Sequence, residues 1–216
     1  MFFTQDADVA GEVEAAFRDA GVAVFSNARN HRMAPDVPLV VPPVNGDHLQ
    51  LVRSQPAFHT SGGFIVTNAN CSTTGLVIAL KPIDDAFGIE AAHVTTLQAI
   101  SGAGYPGLPS LDILDNVVPY ISGEEEKLET EYKKIMGALA PGSSPSLQRV
   151  AERVFPLSAM VNRVHVRDGH SIALSLKLSK PATPEAVAAV LRGWAPGGTE
   201  LAGLPSSPHA FIEVCM

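Results

Sequence analysis

Hydrophobic and polar positions along the first 70 residues change period repeatedly. Val9, Val13, Ala16, Phe17 and Ala20 recur at helical spacing and predict a helix with Gly21 to close it. Val22 to Phe25 then form a short unbroken apolar run, as do Leu39 to Val41, which Pro42 and Pro43 end. Gly63-Phe64-Ile65-Val66-Thr67 predicts a further strand, and Thr73 to Leu80 a helix interrupted at Pro82. Helices alternating with short, wholly apolar strands are the mark of a parallel α/β sheet.

From about residue 89 the pattern lengthens. Glu90 to Ile100 reads as a long strand. Leu128, Tyr132, Ile135, Met136 and Leu139 line one side of a helix over 124–139. Leu157 to Val166 predicts a strand, and Ser171 to Ser179 alternates with the period of two of a half-solvated sheet. Thr183-Pro184-Glu185 supplies an N-cap followed by proline, opening a helix to about Trp194. Longer strands with helices on one face predict an α+β domain. The organisation expected is therefore two domains, 1–70 and 71–216.

Composition narrows the function classes. The 216 residues carry net charge −7 and no block of lysines and arginines, which argues against nucleic-acid or anionic-membrane partners. No apolar run approaches the ~20 residues of a membrane helix. There is no secretory leader pattern, so the expected location is the cytosol. Two cysteines, Cys71 and Cys215, are too few for a disulfide framework or a zinc site.

Candidate chemistry centres on Asn68-Ala69-Asn70-Cys71-Ser72-Thr73-Thr74-Gly75. The thiol stands where a strand gives way to a helix, facing orphan N–H groups and a partial positive charge. That setting favours the thiolate over a thiol of ordinary pKa about 8.5, and the thiolate is the nucleophile. A lone cysteine is more often packing, so the case rests on its company. Ser26 to Arg32, Val40 to Asn45, Leu97 to Gly107, Gly123 to Lys127 and Asn162 to His170, taken with the Cys71 segment in this order, resemble aspartate-semialdehyde dehydrogenase, in its archaeal and fungal branch.

That resemblance implies a partial Rossmann-like NADP-binding domain followed by a glyceraldehyde-3-phosphate-dehydrogenase-like catalytic and dimerisation domain. That second domain has a mixed sheet with helices on one face. It implies reversible conversion of aspartate 4-semialdehyde, NADP and phosphate into 4-aspartyl phosphate and NADPH, run by the cell toward the aldehyde. By motif, Cys71 is the nucleophile and His170 the acid/base; Gln98, Glu124 and Arg163 hold the substrate; Arg32 and Lys127 bind phosphate. Ser101, Gly102, Ala103, Gly104 and Tyr105 form a loop beside the cofactor. A homodimer through the catalytic-domain sheet is implied as well.

Three expectations accompany the resemblance. Gly102 to Gly107 fits G-x-G-x-x-G, but Pro106 and Pro109 fall where a phosphate-binding helix should run, so it is read as an active-site loop. The glycine-rich first turn of the NADP site and the C-terminal segment are missing from the motif series. The chain is accordingly expected to be a truncated form with weak NADP binding and little or no activity, the alternative being a non-catalytic dimerisation module. Finally, a two-residue turn at Asp168-Gly169 would pair His170 with Arg167 and leave Arg163 about 13 Å along the strand. A wider or bulged loop is expected to bring His170 back toward Arg163.

Overall fold

The structure is a computed structural model that describes residues 2–3, 7–141, 148–195 and 203–215. Its elements in chain order are β1 (Phe2–Phe3), α1 (Ala7–Asp19), β2 (Ala23–Ser26), β3 (Leu39–Val40), α2 (Pro42–Asn45), α3 (Pro56–Thr60), β4 (Phe64–Asn68), α4 (Cys71–Phe87), β5 (Ile89–Gln98), α5 (Ser110–Ile113), β6 (Val117–Val118), α6 (Glu124–Ile135), β7 (Ala138–Pro141), β8 (Gln148–Ala151), β9 (Leu157–Val164), β10 (His170–Leu178) and α7 (Pro184–Gly193). A 3₁₀ turn covers Gly46–Ser54 and another Ile100–Ala103. Two compact units divide the chain: residues 1–70 with 131–153 and 195–211, and residues 71–130 with 154–194 and 212–216.

The first unit holds a sheet in the order β1-β2-β4-β3, parallel throughout, as its unbroken apolar strands require. Val24, Ile65 and Val37 form its core, with Val13 and Phe17 of α1 packed against them. The buried face of α1 is rotated from the predicted one. Val9 is exposed, while Ala10 and Glu14 are fully buried. Ser26 donates to one carboxylate oxygen of Glu14 at 2.6 Å, and His31 Nε2 stands 3.5 Å from the other, contacts that the apolar count could not place.

Helix α6 stops at Ile135 rather than running to residue 139. Gly137 lies so close to the next strand that a Cβ would stand 2.6 Å from the Ala151 carbonyl oxygen, and residues 138–141 pair with β8 instead. Loop histidine His48 is buried, held between Asn45 Nδ2 at 3.0 Å and the Gly137 carbonyl at 3.2 Å.

The second unit carries a mixed sheet, β10-β5-β9-β6, in which β5 and β9 run parallel and the outer pairs antiparallel. Its inner face packs against α4, and α4 packs against α7. Pro82 does not interrupt α4, which continues to Phe87. Burial of Leu76, Val77, Leu80, Pro82 and Ile83 outweighs the ~3 kcal/mol that an internal proline costs. Gly88, at φ +70°, ends the helix by donating to the Asp84 carbonyl.

Strands β9 and β10 are not a hairpin. Both pair with β5, one on each side, so residues 165–169 carry the chain across the end of β5. There Ile100 N–H donates to the Val166 carbonyl and Ser101 N–H to that of Arg167.

Candidate functional site

The crossing resolves the distance problem between Arg163 and His170. Gln98, the last residue of β5, is in register with His170 on one side and Arg163 on the other. The three therefore form one row across three strands, spaced about 4.8 Å per step. Gln98 and Arg163 are buried and His170 half-buried. Ala99, the next residue, ties the row together through its backbone. Its carbonyl accepts from Arg163 Nη1 at 2.7 Å, and its N–H donates to His170 Nδ1 at 3.1 Å. Gly102 closes over the two side chains. A Cβ there would lie 2.9 Å from Arg163 Nη1, 3.0 Å from His170 Cε1 and 3.2 Å from His170 Nε2. Only glycine leaves both groups where they stand.

The Ala99 contact also settles a tautomer. Nδ1 of His170 accepts, so the neutral ring carries its proton on Nε2. Nε2 is the atom nearest the Gly102 turn that can still exchange a proton with a ligand.

Cys71 is the first residue of α4 and is exposed. Burial pushes the Arg163 guanidinium below its ordinary pKa, while the charges of Glu124 and Cys71 pull it back up. Both are thus electrostatic neighbours of the arginine. Glu124 opens α6, is buried, and accepts from Lys127 one turn later. The sequence places Lys127 and Glu124 on one helical face, and they stand as an ion pair.

The remaining predicted residues are placed differently. Residues 101–105 are exposed, the first three within the 3₁₀ turn, and the next helix, the four-residue α5, begins only at Ser110. Three N–H groups of residues 101–105 are engaged: Ser101 with Arg167, Gly102 with Ala99 and Gly104 with Ser101. Arg32 belongs to the first unit and is buried, with Nη1 on Glu131 Oε1 at 2.8 Å and Nη2 on the Asn27 carbonyl at 2.9 Å. Glu125 accepts the Val161 N–H, and Glu129 accepts that of Ala159. Among the described residues, no group of three or more histidine, cysteine or acidic side chains could hold a metal. No described helix is long and apolar enough to cross a membrane.

A parallel α/β unit joined to a mixed-sheet unit that gathers a cysteine, an arginine and a histidine defines the class, and the chain belongs to the semialdehyde dehydrogenase family. The family's dimerisation-domain model matches residues 80–208, and its NAD-binding-domain model matches residues 1–52. Within the family the chain groups with the aspartate-semialdehyde dehydrogenases of fungi and archaea. It is 48% identical to the Schizosaccharomyces pombe protein of that name over 99% of this chain and 59% of the relative. It is 42% identical to that of Archaeoglobus fulgidus, with the same two shares. The Candida albicans enzyme, solved with NADP, superposes with TM-score 0.80 at 45% identity, over 93% of this chain and 57% of that one. The chain thus spans about 59% of the length of the curated relatives it matches.

Proposed function

We propose that this chain carries the aldehyde- and acyl-handling site of an aspartate-semialdehyde dehydrogenase. The row Arg163–Gln98–His170, built on one strand's end and facing the helix that Cys71 opens, supports this reading. In the biosynthetic direction Cys71 Sγ attacks the acyl carbon of 4-aspartyl phosphate. The C–O bond to phosphate breaks, the electron pair leaves with phosphate, and a thioester remains on sulfur. Arg163 presents its planar fork to the substrate carboxylate. Glu124 faces the substrate ammonium, Gln98 orients the acyl group, and Lys127 receives phosphate; Arg32, whose terminal nitrogens are taken by Glu131 and the Asn27 carbonyl, is given no phosphate role.

NADPH, when bound, supplies the hydride that reduces the thioester carbon. His170 holds its proton at Nε2, the right end to donate to the carbonyl oxygen as that oxygen gains negative charge. It then takes a proton back when the C–S bond breaks and the aldehyde leaves. In this tautomer the neutral imidazole is the acid of the reduction, not the base that first ionises Cys71. Cofactor binding by these residues is proposed to be weak, since backbone donors at Ser101, Gly102 and Gly104 are already engaged.

Alkylation of Cys71 by iodoacetamide, followed by peptide mapping, tests the reading, with Cys215 as the exposed reference in the same chain. Cys71 is expected to react faster than Cys215 below pH 8 and to be protected by aspartate 4-semialdehyde. That protection should be lost in Arg163→Leu. Equal rates for the two thiols, or protection that survives the arginine's loss, contradict it. Calorimetry checks the cofactor: micromolar NADP binding would overturn the proposed weakness.

A further inference from the structure

Helix α4 lacks half of the usual device for fixing its start. In a capping box, the glutamate or glutamine three residues after the N-cap reaches back to the N-cap's own backbone N–H. Here the residue before the first helical position is Asn70, and the third helical residue is Thr73, which cannot do this. A carboxylate performs the task all the same, from 61 residues further along the chain. Glu131 Oε2 accepts the Asn70 N–H at 2.8 Å, in buried surroundings.

Its other oxygen, Oε1, accepts from Arg32 Nη1 at 2.8 Å. Glu131 is 2% exposed and Arg32 7%, so neither contact is diluted by solvent. Arg32 is held in turn by the Asn27 carbonyl. Lys134, three residues after Glu131, donates to the carbonyls of Arg32, Ala34 and Val37 at 2.8, 2.6 and 2.7 Å. One turn of α6 therefore grips both the backbone that carries Arg32 and the peptide immediately before Cys71. Arg32 also neutralises a carboxylate that would otherwise stand uncompensated beside a helix N-terminus, where a thiolate is wanted.

We infer that Glu131 is a positioning residue for Cys71: it supplies the missing capping carboxylate and so sets where the nucleophile's backbone begins. The inference rests on the reading of Cys71 as nucleophile. Its consequence for Arg32 is that both terminal nitrogens are engaged in holding Glu131 and the Asn27 carbonyl.

Two double variants separate the acceptor from the charge pair. Arg32→Leu/Glu131→Leu removes both charges together, leaving no lone buried ion. Arg32→Leu/Glu131→Gln does the same but keeps a carbonyl for the Asn70 N–H. The readout is the ratio of Cys71 to Cys215 alkylation rates. The Leu/Leu variant is expected to lower that ratio about tenfold, and the Leu/Gln variant to recover it to within about threefold of the unaltered chain. Unchanged ratios in both variants, or an equal loss in both, overturn the inference while leaving Cys71 as nucleophile. A ratio near one in the unaltered chain overturns that reading and this inference together. Hydrogen exchange on the unaltered chain needs no variant: the Asn70 amide should be strongly protected, and rapid exchange there also overturns it.

Discussion

At the residue scale, placement followed polar contacts that hydrophobic patterning does not register. Glu14 and His48 were unremarkable in the sequence, yet both are buried, because Ser26 and Asn45 stand opposite them. Residue types at the candidate site were legible through the motif series, but their partners were not. Nothing in Ala99 announces that its carbonyl and amide would hold Arg163 and His170. Lys134 is the sharpest case. Burial pushes its ammonium down to about 8, while Asp36 and Glu152 pull it upward. Between about pH 8 and its ordinary 10.5 the unfolded chain keeps a proton that the folded chain has released, so stability rises with pH across that window. The gain is at most about 3 kcal/mol. Denaturant titrations at pH 7 and pH 10.5 should show the stability of the unaltered chain, minus that of Lys134→Met, increasing with pH. A constant difference would contradict the buried, depressed lysine.

At the element scale, the helices and strands were readable and their neighbours were not. Period and capping placed α4, α6, β5, β9, β10 and α7 close to where they stand. Strand order escaped because consecutive strands are usually adjacent, whereas β5 lies between β9 and β10. The site row exists because of that insertion. Helix boundaries slipped where a tertiary contact outweighed a local signal, as at Pro82 and Gly137. Strand β9 shows a further device. Strand β6 pairs with Arg163 and Val164, so among the described residues the earlier part of β9 has no strand beside it on that side. Glu125 and Glu129, one turn apart on α6, accept the N–H groups of Val161 and Ala159 there. Each charge-assisted bond contributes about 1.5–3 kcal/mol. Glu129→Ala should lower stability by that order in chemical denaturation and speed hydrogen exchange at Ala159. An unaltered stability with Ala159 still protected would show that the edge is held by other means.

At the scale of the whole molecule, the sheet of the second unit has a second face. Leu97 and Met160 are exposed there, in register with small residues: Ser171 opposite Leu97, and Ala173 beside the Thr95 that pairs with Met160. Small-residue strands with scattered exposed apolar side chains suit a pairing of sheets, and the family model over this region is that of a dimerisation domain. A homodimer through this face is therefore proposed. Sedimentation velocity should give a dimer that Met160→Glu converts to monomer; a dimer indifferent to that charge places the contact elsewhere.

The account as a whole stands on covalent chemistry at a single sulfur, and that chemistry requires no cofactor. Mixing the chain with 4-aspartyl phosphate and recording intact mass and peptide maps should reveal one aspartyl group joined to Cys71. Equimolar phosphate should be released, with neither product formed by Cys71→Ser. An adduct spread equally over Cys71 and Cys215, or phosphate release that persists in the serine variant, would contradict it.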